Sequence, residues 1–117
     1  MRWVALISFS VALLGMADEA SAGFLDGNAL YRYCTATDAF SQGACIGYVD
    51  GVADLMGFSD DVAKRPQCIP VSVQAQQVVD VVVKFLRDNP ADRNYNADSL
   101  VFAAIHQAWN CKLARSE

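Results

Sequence analysis

The 117-residue chain is poor in what most catalytic and nucleic-acid-binding proteins need. It has one histidine, nine Lys+Arg with none in a run, and a formal charge of −4. The acidic balance argues against a nucleic-acid partner, which selects clustered positive charge. No glycine-rich phosphate loop, Gly-x-Ser-x-Gly elbow or His-Glu-x-x-His motif occurs, so the familiar routes to nucleotide, acyl-transfer and zinc-hydrolase chemistry are missing. No Cys-x-x-Cys pair is present either, which leaves a zinc site or other metal centre poorly supported. The sequence is also too short for two independent cores. What it has is a 54% hydrophobic composition, enough for one packed domain and too much for a disordered chain.

Residues 1–22 read as a secretory signal peptide. Arg2 gives the positive start, Trp3 to Gly15 the apolar stretch, and Ala20-Ser21-Ala22 the small-residue cleavage site, with Ala17 as the alternative. The competing reading is an uncleaved anchor or an N-terminal core helix. No cysteine closely follows the apolar run, so a lipoprotein anchor is not indicated. Removing 22 residues, among them Arg2, Asp18 and Glu19, leaves 95 of the 117. Those 95 carry eight basic and eleven acidic side chains, a net charge of −3.

Export changes the meaning of the four cysteines, Cys34, Cys45, Cys68 and Cys111. An even number in a short exported chain favours two disulfides in an oxidising compartment. A nucleophilic cysteine would need His106 as its base, the one histidine available.

Helical periodicity runs through 23–117, predicting a single all-α domain of four to five helices. The first helix is expected over Asn28 to Thr37. The second opens at Ser41-Gln42-Gly43 and runs to about Met56, with Ile46, Val49, Val52, Ala53 and Met56 as its apolar face. Gly57 to Pro70 has the composition of a connection. Ser72 is a candidate N-cap for a third helix with Ala75, Val78, Val79, Val82, Phe85 and Leu86 at buried spacing. Residues 88–95 read as a turn, and Asn96 as the cap of a last helix carrying Leu100, Val101, Ala104, Ile105, Ala108 and Trp109. Gly43, Gly47 and Gly51 form a side-chain-free stripe on helix 2. Each glycine costs about 1 kcal/mol in a helix relative to alanine, so the stripe predicts close approach by another helix, within the chain or across a dimer.

Four cysteines allow three pairings. Cys34 and Cys45 flank a short connection, and an antiparallel hairpin of helices 3 and 4 brings Cys68 to Cys111. Joining Cys45 to Cys68 would bridge opposite ends of helix 2, about 20 Å or more apart. The expected disulfides are therefore Cys34–Cys45 and Cys68–Cys111.

Catalytic chemistry is thinly represented. Asp50 and Asp54 are four apart and could pair as acid and base, although a solvated acidic face explains them as well. The charged loops suit a protein contact better than a reaction centre.

The segment Cys45-Ile46-Gly47-Tyr48-Val49-Asp50-Gly51-Val52-Ala53-Asp54 is followed by Cys68-Ile69-Pro70 and a valine-rich helix with Gln76. Pro90-Ala91-Asp92-Arg93, Ala97-Asp98-Ser99-Leu100 and Ala108-Trp109-Asn110-Cys111 come next. In this order and spacing they resemble the Rap/Tai family of periplasmic immunity proteins, which protect bacteria against type VI secretion amidase effectors. The resemblance covers nearly all of residues 27–111 and implies a disulfide-stabilised, usually dimeric periplasmic protein. Such a protein has no catalytic activity and no cofactor, and it blocks the cleft of a cysteine amidase. It assigns Gly47, Tyr48, Gly51, Asp54, Pro70, Pro90 and Arg93 to the scaffold. Partner contacts are expected in the helix 3–4 loop, at Asp88, Asn89, Asp92 and Tyr95, with the Cys68–Cys111 link holding that loop rigid. The sequence departs from the family pattern at Asn110, where proline is expected. The alternative readings are a small periplasmic chaperone of the acid-stress type, a Rap/Tai-like domain without a toxin partner, or a small secreted enzyme using Asp50 and Asp54.

Overall fold

The computed structural model describes residues 23–111; segment 1–22, expected from the sequence to be a signal peptide, lies outside the described residues. Four α-helices and one short 3-10 turn follow in order: α1 (Gly27–Thr35), α2 (Ala39–Val62), α3 (Ala75–Asp88), the turn Pro90–Asp92, and α4 (Ala97–Trp109). Among the described residues there is no strand, only an isolated bridge between Asp26 and Asn96. The all-α expectation holds, as do both disulfides, Cys34–Cys45 and Cys68–Cys111, each with Cα atoms 5.0 Å apart.

One core joins all four helices. Leu30, Val49, Val82, Leu86, Val101 and Ile105 are its largest fully buried side chains, and Cys45, Met56, Val78, Val79, Ala97, Leu100 and Ala104 complete it. The inner faces of α3 and α4 follow the periodicity except at Ala75 and Ala108, which sit near the helix ends and are exposed. On α2, Val49 and Met56 are buried as expected, and Ile46 is exposed.

The first helix spans Gly27–Thr35, capped by Asp26, rather than Asn28 to Thr37, and three further boundaries differ from the sequence expectation. Helix 2 begins earlier, because Asp38 caps it by accepting the Ser41 backbone N–H at 2.9 Å. It also continues through Gly57 to Val62, a length of about 36 Å at 1.5 Å per residue. The polar residues there, which resemble a turn in composition, tie the following loop back onto the helix. Asp60 accepts from Arg65 Nε at 3.1 Å and from the Cys68 backbone N–H at 3.2 Å, while Gln67 donates to Asp61 at 2.6 Å and to the Gly57 carbonyl at 3.1 Å. Lys64, at φ 54°, then turns the chain out. Finally, α3 is capped by Gln74 rather than Ser72. Gln74 and Gln77 form a reciprocal capping box, and Ser72 is absorbed in the turn closed by Val73 N–H on the Pro70 carbonyl at 3.0 Å.

The bonds to Ser41 hold the Asp38 carboxyl below its ordinary value of 3.8. A lowered folded pKa means that this stabilisation is complete above 3.8 and is lost as the pH falls through the folded value. Asp38→Ala is expected to lower Tm near neutrality, with the gap to wild type closing on acidification. Asp38→Asn keeps an acceptor at the cap and is expected to show a weaker pH dependence. Thermal melts between about pH 2 and 6 check both; a gap independent of pH would contradict them.

Candidate functional site

Three surfaces carry the residues to which a function can be attached. The first is the α3–α4 connection. Asp88 ends α3 in an ion pair with Lys84, and Asn89 donates its side-chain N–H to the Phe85 carbonyl at 2.8 Å. Asn89 is thus committed to closing α3. Asp92 is half-buried in the 3-10 turn, where its carbonyl accepts the Tyr95 backbone N–H at 3.0 Å, and Tyr95 stands 59% exposed. Asp88, Asp92 and Tyr95 therefore share the connection between α3 and α4, while the Asn89 amide is bonded to the helix end.

This connection is held by the start of α1, not by the Cys68–Cys111 link. Gly27 N–H donates to the Tyr95 carbonyl at 2.9 Å, Asn28 N–H to the Arg93 carbonyl at 2.8 Å, and Ala97 N–H to the Leu25 carbonyl at 2.9 Å. The disulfide joins the opposite ends of the α3–α4 hairpin, a helix length away. Gly27 is buried because its missing side chain makes room: a Cβ there would collide with Leu100 and come within 2.9 Å of the Arg93 backbone. The Arg93 guanidinium lies 4.2 Å from the Tyr31 ring centroid, a stacking contact that fixes α1 to the same connection. Sequence reasoning misses Gly27, since a glycine at a helix start looks like an ordinary boundary residue.

The second surface is the outer face of α2. Among the described residues, a Cβ on Gly43, Gly47 or Gly51 would meet nothing within 4 Å, so none of the four helices packs on the stripe. Phe40 stands 77% exposed at one end of that face, and Leu55, Phe58 and Val62 are exposed by 62–67% at the other. Asp54 is exposed and Asp50 half-buried on this helix. Tyr48 is half-buried against the start of α4. Burial first, and then the Asp98 carboxylate, raise its hydroxyl above the ordinary value of 10.0, against an opposing backbone bond from Asp98. Pro70 is exposed in the loop before α3, and Pro90 opens the 3-10 turn.

The third surface is a groove of about 720 Å³ between the C-terminal half of α2, the 65–68 loop and α4. Leu55, Met56, Phe102 and Trp109 give it an apolar wall, and Cys68 and Cys111 lie in it. His106 also faces this space, its ring 4.0 Å from that of Phe102. The groove is not legible in the sequence, because its walls come from segments some 40 residues apart in the chain. At its edge α4 ends on Asn110, which has left-handed φ 46°. Proline, with φ locked near −65°, cannot take that conformation, so Asn110 accounts locally for the departure from the family pattern.

All four cysteines are bonded, so His106 has no free thiol to activate. Taken together, these features define a small helical module with two disulfide staples, a backbone-anchored connection at one end, and large apolar side chains presented outward. The chain belongs to the family of Rap1a immunity proteins, whose pattern it matches over residues 26–111. No curated protein and no solved structure matches it. Membership points to an immunity role exercised by binding a protein effector, and so to a binding rather than a catalytic protein.

Proposed function

We propose that the chain is an exported periplasmic immunity protein that binds a peptidoglycan amidase effector of a type VI secretion system and occludes its substrate cleft. The observation that carries this reading is the match to an immunity family across residues 26–111. The two disulfides suit an oxidising compartment such as the periplasm. The α3–α4 connection supplies the contact, with Tyr95 as its aromatic anchor and Asp88 and Asp92 as its charge. Because α1 already orders it, little entropy is lost on binding and more of the contact energy appears as affinity. The acidic side chains accelerate encounter with a basic enzyme, an effect that salt suppresses.

Co-expression with an amidase encoded beside this gene is expected to relieve the enzyme's toxicity. Asp92→Ala combined with Tyr95→Ala is expected to weaken binding by about 10² or more, since an aromatic anchor carries about 2 kcal/mol or more. Failure of the wild-type protein to protect, or to bind the purified enzyme, would overturn the proposal. Full protection by the double variant would move the contact to another surface.

The working form in this proposal is a homodimer, and the outer face of α2 is its interface. A two-fold interface requires that residue i meet j and j meet i. Antiparallel pairing about the level of Val49 does this: Phe40 meets Phe58 of a second copy, Gly43 meets its Leu55, and Gly47 meets its Gly51. The glycines admit close backbone approach, and the leucine fills the space opposite Gly43. Gly47→Leu is expected to weaken the dimer at least about tenfold, or ~1.4 kcal/mol. The same change relieves a helix-interior glycine in open space, so the monomer gains about 0.5–1 kcal/mol. Light scattering over a dilution series reads the first effect and thermal melting of the dilute monomer the second. A wild-type protein that stays monomeric at high concentration would refute the interface.

A further inference from the structure

The Cys68–Cys111 disulfide has a companion that the other one lacks. Cys68 Sγ, Cys111 Sγ and a ring nitrogen of His106 all lie within 4.8 Å of one another, and each of the three residues is half-buried. They form the one cluster of this kind among the described residues, and His106 is the chain's single histidine. Cys45, by contrast, is buried in the core at 2% exposure. Two structural features hold the cluster together. The Phe102 ring stacked on His106 restrains the imidazole, and the Asp60 carboxylate fixes the Cys68 backbone N–H at 3.2 Å.

Two sulfurs and an imidazole nitrogen are a borderline-soft donor set of the kind zinc takes, at about 2.3 Å for Zn–S and about 2.0–2.1 Å for Zn–N. Tetrahedral coordination places the sulfurs about 3.8 Å apart. Breaking the S–S bond lets them separate to that distance by small side-chain rotations. The groove provides an entry path and room for water as the fourth ligand.

We propose that reduction of Cys68–Cys111 creates a Cys2His site for zinc, so that the ends of the α3–α4 hairpin are joined by a disulfide when oxidised and by the metal when reduced. The reductant is a dithiol, which delivers two electrons and two protons to the S–S bond and becomes a disulfide itself. The two thiols lose their protons to solvent as zinc binds. Reoxidation by a disulfide partner withdraws the two electrons and releases the metal.

The test uses the exported form proposed above, residues 23–117, reduced with a water-soluble phosphine and desalted without oxygen, then titrated with Co²⁺ and back-titrated with Zn²⁺. One tetrahedral cobalt per chain is expected, with a thiolate-to-metal charge-transfer band that zinc abolishes. Zinc is expected to raise the Tm of the reduced chain, or to restore its helical circular dichroism if reduction unfolds it. The oxidised chain is expected to bind no metal at this site. His106→Ala, first shown to melt like wild type when oxidised, is expected to bind at least about tenfold more weakly, and Cys68→Ala/Cys111→Ala not at all. Equal affinity in His106→Ala, retained binding in the double alanine variant, or no zinc-dependent band, stabilisation or refolding in the reduced wild type would each overturn the proposal.

Discussion

Cys68→Ala/Cys111→Ala is expected to lower the folding free energy by about 4 kcal/mol, against about 3 kcal/mol for Cys34→Ala/Cys45→Ala. The reason lies mainly in the unfolded chain. The first link closes a separation of 43 residues and the second a separation of 11, and the entropy removed from the unfolded ensemble grows with the logarithm of that length. For a domain of this size the larger loss corresponds to a Tm lower by about 15–30 °C. The damage is also local. Without the link the last turn of α4 frays, and amide exchange is expected to quicken around Trp109 and in the loop before α3. The Tyr95 end, tied to α1 by backbone bonds, is expected to stay protected as far as global stability allows. Thermal melts and amide exchange of the two double variants check this. Loss of protection first at Tyr95 would show that the disulfide, not α1, orders the connection.

Gly27→Val is expected to cost about 3 kcal/mol or more. The new side chain runs into Leu100 and into the Arg93 backbone, with Cα and the carbonyl oxygen both 2.9 Å from the Cβ position. Overfilling a packed site costs about 1–3 kcal/mol, and here the neighbour is main chain that cannot rotate away. Arg93 is held by the Asn28 N–H on its carbonyl, so clearing the clash means lifting α1 from the connection. Each backbone bond lost adds about 0.5–1.5 kcal/mol. The contrast with α2 makes the prediction sharp. Alanine at Gly43, Gly47 or Gly51 enters open space and is expected to stabilise the monomer by about 0.5–1 kcal/mol each. A glycine-to-alanine scan by denaturant unfolding should therefore change sign between Gly27 and the α2 stripe. A loss of stability at all four positions would mean that the stripe is packed in solution.

These opposite signs mark the boundary of what local sequence carries. A regular helix fixes which residues share a face, so Val78, Val79, Val82 and Leu86 follow as one buried side from their spacing alone. Capping is less legible. Asp38 and Gln74 outcompete the serines nearby because cap geometry depends on the turn that precedes the helix, which composition does not reveal. The end of α2 escapes composition for a related reason. The polar cluster Ser59-Asp60-Asp61 continues the helix because Arg65, Gln67 and the Cys68 amide return to bond it.

The site divides in the same way. Asp88, Asp92 and Tyr95 are legible as a charged turn bearing one aromatic, and the structure places all three in the α3–α4 connection. The Asn89 amide does not join them, because its bond to the Phe85 carbonyl depends on how α3 ends, which residue type does not reveal. The groove, and the meeting of His106 with Cys68 and Cys111, have no local signal at all.

Four amphipathic helices, two disulfides and their pairing follow from the residue order, since periodicity and helix length constrain which ends can meet. The sequence also carries the family pattern over residues 26–111. Which faces are covered depends on the packing of the helices in three dimensions. That packing turned the α2 glycines outward, spent Gly27 on a close contact with Arg93 and Leu100, and set a histidine beside one disulfide. A helical repeat encodes a stripe, and whether that stripe is core or surface depends on what packs against it.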